Sequence, residues 1–259
     1  MDDSPSTEDV KPQDSRGEWA LPVNRLNVDG VSEDAVNINV EGRHVNNVMQ
    51  GFGQMWQKTY RIRFDGVQVP PREVIRVWKE EFSRFWPEGN YFYRGETGPL
   101  KAGEVAVLNL AGPGGINAPG GKPMISTGIL VIYADDESFS FLTPEGHMFS
   151  GMNTFSSYEE DGVTYAQIQA LIRASDPLYE VMLRLGIGHK MEDDFWSETL
   201  KNLATHFGAS GVPTLTRVNV DSRVQWSEAT NIWHNAGIRT TMHTLATPLR
   251  WVGRKLRGK

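Results

Sequence analysis

The chain contains no cysteine, which excludes structural disulfides, thiolate nucleophiles and the cysteine ligands usual in zinc sites. That composition fits a reducing compartment, so the expected location is cytoplasmic. No apolar run approaches the roughly 20 residues that cross a bilayer, and the first residues lack the basic start and apolar core of a secretory signal. Histidines number 6, without a His-Glu-x-x-His pair, and the serines lack a Gly-x-Ser-x-Gly elbow. Metal and cofactor chemistry are therefore not implied, and nucleophilic catalysis has no visible machinery.

What the 259 residues do hold is 39% hydrophobic and 22% charged, enough for one substantial core with polar flanks. The net charge of -6 conceals an asymmetry. Asp2, Asp3, Glu8, Asp9, Asp14 and Glu18 crowd the first 20 residues, whereas Arg239, Arg250, Arg254, Lys255, Arg257 and Lys259 gather after residue 238 with no acid among them. An acidic total argues against a nucleic-acid partner, while a basic end can still visit an anionic surface.

Residues 1–53 mix Asp, Ser, Pro, Asn and Gly around scattered valines without a sustained period, and read as a disordered acidic leader. From Gln57 the pattern sharpens. Tyr60, Ile62 and Phe64 alternate with Thr59, Arg61 and Arg63, the period of a strand with one face in a core. After Pro70-Pro71, Val74, Trp78, Phe82 and Phe85 stack on one helical face until Pro87-Glu88-Gly89 stops the helix. Six strand-like runs follow, from Tyr91 to Ala174, separated by Gly, Asp and Pro turns. Asp176-Pro177 then opens a helical stretch of roughly thirty residues, interrupted by Gly186 and Gly188 and ending at Gly208.

This is the order of an α+β domain over residues 54–208, a seven-stranded curved antiparallel sheet around a long C-terminal helix. It resembles the helix-grip superfamily, the START-like or SRPBCC group. Within that group, Thr143-Pro144-Glu145-Gly146-His147-Met148-Phe149-Ser150-Gly151, then Phe155 and Ala174-Ser175-Asp176-Pro177, looks like an uncharacterised family with a Gly-His pair and a Ser-x-Pro helix start. That family has an acidic residue after the second glycine; here Met152-Asn153 stand there. The resemblance implies a grip-shaped cavity and no particular activity.

The expected occupant is a hydrophobic small molecule or lipid. Its candidate lining is Trp78, Phe82, Phe139, Phe141, Phe155, Met182 and Trp196, with Tyr165 and Gln167 as polar tips. Two other readings use the same residues: a cyclase- or hydrolase-like enzyme with His147 as base, or an interaction domain whose core is filled. The loop from Gly112 to Pro123 reads as a hairpin loop or cavity lid, and His189, Glu192, Asp193 and Asp194 as a solvated face. Residues 209–259 read as a basic amphipathic tail. Its stripe of Ile238, Met242, Leu245, Leu249, Val252 and Leu256 is able to lie in a membrane surface or to fold back on protein, and Pro248 can divide it.

Overall fold

The structure, a computed structural model, describes residues 17–256, and the side chains of residues 18–246. Most of the acidic run and the side chains of Leu249, Val252 and Leu256 lie outside the described residues.

The centre of the fold is an antiparallel sheet. Its first long strand, β3 (Met55–Arg63), follows the short strands β1 (Gly17–Trp19) and β2 (Val45–Asn46). It buries Lys58, Tyr60 and Ile62 and exposes Gln57 and Arg63, as its alternation predicts. Helix α1 (Pro71–Glu80) starts on a proline whose missing N–H costs nothing there, and it turns Val74, Ile75 and Trp78 inward. Six strands come next: β4 (Tyr91–Tyr93), β5 (Val105–Leu110), β6 (Ile125–Asp135), β7 (Ser138–Pro144), β8 (Phe149–Glu160) and β9 (Val163–Ala174). Asp135 closes the β6–β7 turn by accepting from the amides of Glu137 and Ser138, each at 2.7 Å. Asp161 and Gly162, both at positive φ, make the two-residue β8–β9 hairpin.

Past β9, the Asp176 carboxylate caps α2 (Pro177–Arg184), accepting from Leu178 N at 2.8 Å and Tyr179 N at 3.1 Å. The single helix expected here is two. Gly186, at φ 79°, ends the first, and α3 (Ile187–His206) then runs across the concave face. A further strand, β10 (Thr214–Asp221), pairs with β3, and the chain ends in α4 (Ala236–Leu256), whose backbone is one helix through Pro248.

Strand order is β10-β3-β9-β8-β7-β6-β5-β4, with β1 added to β6 and β2 to β7. All seven expected strands are present, and three more lie in segments read as leader and tail. Within residues 20–46, read from sequence as part of the leader, some side chains pack on the sheet. Leu26 and Val40 are buried with Val107 and Leu130, covering the convex face of β5 and β6. An irregular segment that buries its apolar residues one at a time carries no period to read. Among the described residues no helix is long and apolar enough to cross a membrane.

Half of the interior is solid. Phe139 and Phe155 stack with centroids 4.7 Å apart, and the Trp78 ring meets both edge-on at 5.9 and 5.3 Å. Each such pair adds about 0.5–1.5 kcal/mol beyond the area it buries.

Candidate functional site

The strand registers arrange the concave face in rows. One row is Tyr60, Ile168, Phe155 and Phe139, all bulky and covered by Trp78. The next is Lys58, Ala170, Asn153 and Phe141, and the one after it contains Trp56, Ile172 and Gly151. Helix α3 crosses these rows, meeting Lys58 through Glu192 and Asp193 and Trp56 through His189. Toward β5, β6 and β7 the sheet and α3 leave a cavity of about 940 Å³, within the range of sites that hold small ligands.

Its apolar wall is formed by Phe82, Trp86, Phe92, Leu108, Leu110, Ile129 and Phe141. Helix α3 roofs it with Met191, Phe195 and Trp196, and Gly112–Gly115 borders it, as expected of a lid loop. Its polar groups include Thr143, His147, Asn153 and Glu192, and the exposed Glu88, Lys190, Asp194, Glu198 and Lys201 also border it. Asn153 makes no hydrogen bond through its side-chain oxygen among the described residues.

Of the lining residues expected from sequence, Phe82, Phe141 and Trp196 do stand on the cavity wall. Trp78, Phe139 and Phe155 do not; they form the solid aromatic layer beside it. Tyr165 and Gln167 face the opposite side, because β9 turns Ala166, Ile168 and Ala170 inward. There Tyr165 stacks on Tyr158 at 5.5 Å, and Gln167 Oε1 accepts from Arg61 Nε at 3.1 Å. Met182 packs beneath α2 with Tyr179 and Leu183, away from the hollow. Sequence reasoning missed Asn153, Met191 and Ile172. The parity of β8 and β9 carried that signal, once Phe155 and Ala170 are placed inward.

His147 is buried on the cavity wall, with Nδ1 3.0 Å from the amide nitrogen of Phe149. Nδ1 also lies 3.0 Å from the carbonyl oxygen of Phe149, so the backbone of that residue engages this ring nitrogen and leaves Nε2 without a backbone partner among the described residues. Burial pulls the imidazole down to about 4, which keeps it uncharged near neutrality. The turn holding it is clamped from both ends of the described chain. Glu145 N donates to His44 O at 2.8 Å, Ala236 N donates to Gly146 O at 2.9 Å, and Arg43 reaches both Glu145 and His234. A side chain on Gly146 would meet the carbonyl oxygen of His234 at 2.0 Å.

The expected solvated face of α3 is instead partly a buried ion cluster. Lys58 Nζ lies 2.6 Å from Glu192 Oε2 and 2.8 Å from Asp193 Oδ1, and Tyr60 OH donates to the same Asp193 oxygen at 2.7 Å. Arg217 of β10 pairs with the other Asp193 oxygen. Two cations thus face two carboxylates. Burial raises Glu192 against the opposing pull of Lys58; for Asp193, hydrogen bonds from Lys58 and Tyr60 outweigh burial and hold it below its ordinary value. His189, edge-on to Trp56 at 4.9 Å, is drawn down to about 4 by burial and by the nearby cations. Asp194 and Lys190 remain exposed and pair at 2.7 Å. Among the described residues no cluster of His, Asp and Glu has the makings of a metal site.

No protein-family model matches the chain, and no curated protein does, so the family-level resemblance of the Gly-His segment finds no counterpart. Solved structures similar in fold include a Panax ginseng major latex-like protein 151, with 13% identity, TM-score 0.40, and coverage of 60% of this chain and 99% of that one. Another is a protein from Mycobacterium smegmatis at 14% identity and TM-score 0.39, covering 60% and 91%. A third is the di-domain ARO/CYC StfQ from the steffimycin biosynthetic pathway, at 7% identity and TM-score 0.42, covering 60% and 50%. The molecule's own topology gives the fold: with seven consecutive antiparallel strands, the helix after the first of them and a long helix laid across the concave face, the domain is a helix-grip fold.

Proposed function

We propose that the domain is a carrier or binding module for a hydrophobic small molecule or lipid held between the sheet and α3. The observation behind this reading is the hollow itself, apolar on most of its wall and beside a core that is otherwise closely packed. A ligand entering it gains roughly 25 cal/mol for each Å² of apolar surface taken from water, less the cost of immobilisation. His147 Nε2 and the side-chain amide of Asn153, whose oxygen is otherwise unpartnered among the described residues, are the groups placed to hydrogen-bond a polar atom of such a ligand. Glu192, the buried carboxylate on the wall, is already paired with Lys58, so it offers no unpaired charge to a ligand.

The enzyme reading has less support. Nδ1 of His147 is occupied by the backbone, and no hydroxyl or carboxylate is hydrogen-bonded to its ring among the described residues. A core-filled interaction domain needs no hollow of this size. The expected setting is cytoplasmic, with the basic stretch of residues 238–259 giving peripheral contact with an anionic membrane.

Native mass spectrometry of the purified protein, with organic extraction of what it carries, tests the reading. A co-purifying apolar compound is expected. Protein that is empty from every host, and that takes up no added lipid, would overturn it.

A further inference from the structure

The cavity is bordered by exposed charged residues of α3, Lys190, Asp194, Glu198 and Lys201, but at Ile187 its border is apolar. Leu178, Val181 and Leu185 recur at helical spacing on one side of α2 and are exposed, Leu185 to 69%. The stripe continues across Gly186 to Ile187, which is itself half exposed and lines the cavity. A soluble surface does not ordinarily lead a continuous apolar stripe into an apolar hollow. Two neighbouring elements add to it. Asn235 donates to the Asp176 carboxylate at 2.7 Å and Gly237 N donates to Tyr179 OH at 3.0 Å, fixing the start of α4 against α2. Just before that junction Trp233 is 79% exposed, and on the first turns of α4 Met242 is 65% exposed.

We propose that this face, α2 with the start of α3 and the adjoining Trp233 and Met242, docks on the surface of an anionic phospholipid bilayer with the cavity mouth turned toward it. Three properties select a bilayer over a protein partner. The segment that continues from Met242 brings five bases, Arg250, Arg254, Lys255, Arg257 and Lys259, and no acid, complementary to anionic headgroups. Tryptophan is the side chain that settles at the boundary between headgroup and acyl chain. And the stripe joins the hollow through Ile187, so an apolar ligand can pass between acyl chains and cavity without crossing water. The proposal rests on the carrier reading for its purpose, although docking itself can be measured without any ligand.

Flotation of the full chain with vesicles of phosphatidylcholine alone, and with phosphatidylserine added, is the test. Wild type is expected to float with the anionic vesicles and less so as salt is raised. Val181→Asp with Leu185→Asp should lower partition by about tenfold or more, because two apolar side chains no longer enter the interface. Val218→Asp, on the convex side of β10, should leave it unchanged. Because the chain has no cysteine of its own, Leu185→Cys carrying an environment-sensitive fluorophore gives a second reading that does not depend on the double variant's folding. Its emission should shift to the blue on anionic vesicles, and that of labelled Val218→Cys should not. Flotation of the double variant equal to wild type, or no shift at Leu185→Cys, overturns the proposal. So does a dimer that the double variant breaks in the absence of flotation, which would assign the face to a second copy. If wild type carries a lipid and fails to float, the docking proposal falls and the carrier reading stands; flotation of a protein with an empty cavity does the reverse.

Discussion

Lys58 shows what a single side chain costs when its partners are buried with it. It is among the largest fully buried side chains and the cation paired with buried Glu192, whereas Asp193 keeps Arg217 and Tyr60 as well. Lys58→Met should therefore destabilise the fold by about 3–5 kcal/mol, the penalty of stranding a buried charge, read as a fall in the urea midpoint. Adding Glu192→Gln and Asp193→Asn to that variant should recover much of the loss. Lys58 was legible in part: its even position on β3 shares a face with Tyr60 and Ile62. Its partners stand more than a hundred residues away, and no local pattern pairs them. His147 makes a separate prediction about pH. The unfolded ring titrates near its ordinary value of 6.5 and the folded ring near 4. Between these values the unfolded chain binds a proton that the folded chain does not, so stability falls as pH drops through that window, by roughly 3 kcal/mol in all. His147→Gln should flatten that dependence relative to wild type in denaturation curves taken from pH 7 to pH 4. Glu192, raised by burial, works in the opposite sense and is common to both proteins.

At the scale of elements, the grip was readable because its strands alternate and its turns are spelled by Asp, Gly and Pro. The flanking segments were not, and for two different reasons. Residues 20–46 bury single side chains without regular structure, and β10 is an edge strand exposed along nearly its whole length, so it shows no apolar face. Both nevertheless complete the domain. A chain ending at Gly211 would lose the strand covering β3, the Arg217 contact with Asp193, and the Asn235 bond that satisfies buried Asp176. The expected outcome is a lower melting temperature and oligomers on size-exclusion chromatography, since β3 becomes an open edge. A monomer with unchanged melting temperature would show the flanking segments to be dispensable. The break between α2 and α3 is milder. Gly186 has open space around it, so Gly186→Ala pays only for the left-handed backbone, about 1–2 kcal/mol, as measured by thermal or urea unfolding.

For the whole molecule, the architecture followed from element order, whereas the hollow did not. Bulky residues announce a core wherever they fall, whereas the cavity depends on how far α3 stands from β5, β6 and β7, a distance that no local pattern records. Aromatic content alone therefore pointed to Trp78, Phe139 and Phe155, which turned out to be packing. A ligand that fills the space should raise stability by about 2.7 kcal/mol at a free concentration one hundred times its dissociation constant, visible as a concentration-dependent rise in melting temperature. The division of the interior has an evolutionary corollary. Rigidity resides in the aromatic stack around Trp78, and choice of guest resides in separate positions such as Leu108, Leu110 and Ile129. Selectivity can then drift, or be retuned by design, at those aliphatic positions while the scaffold keeps its tolerance for change.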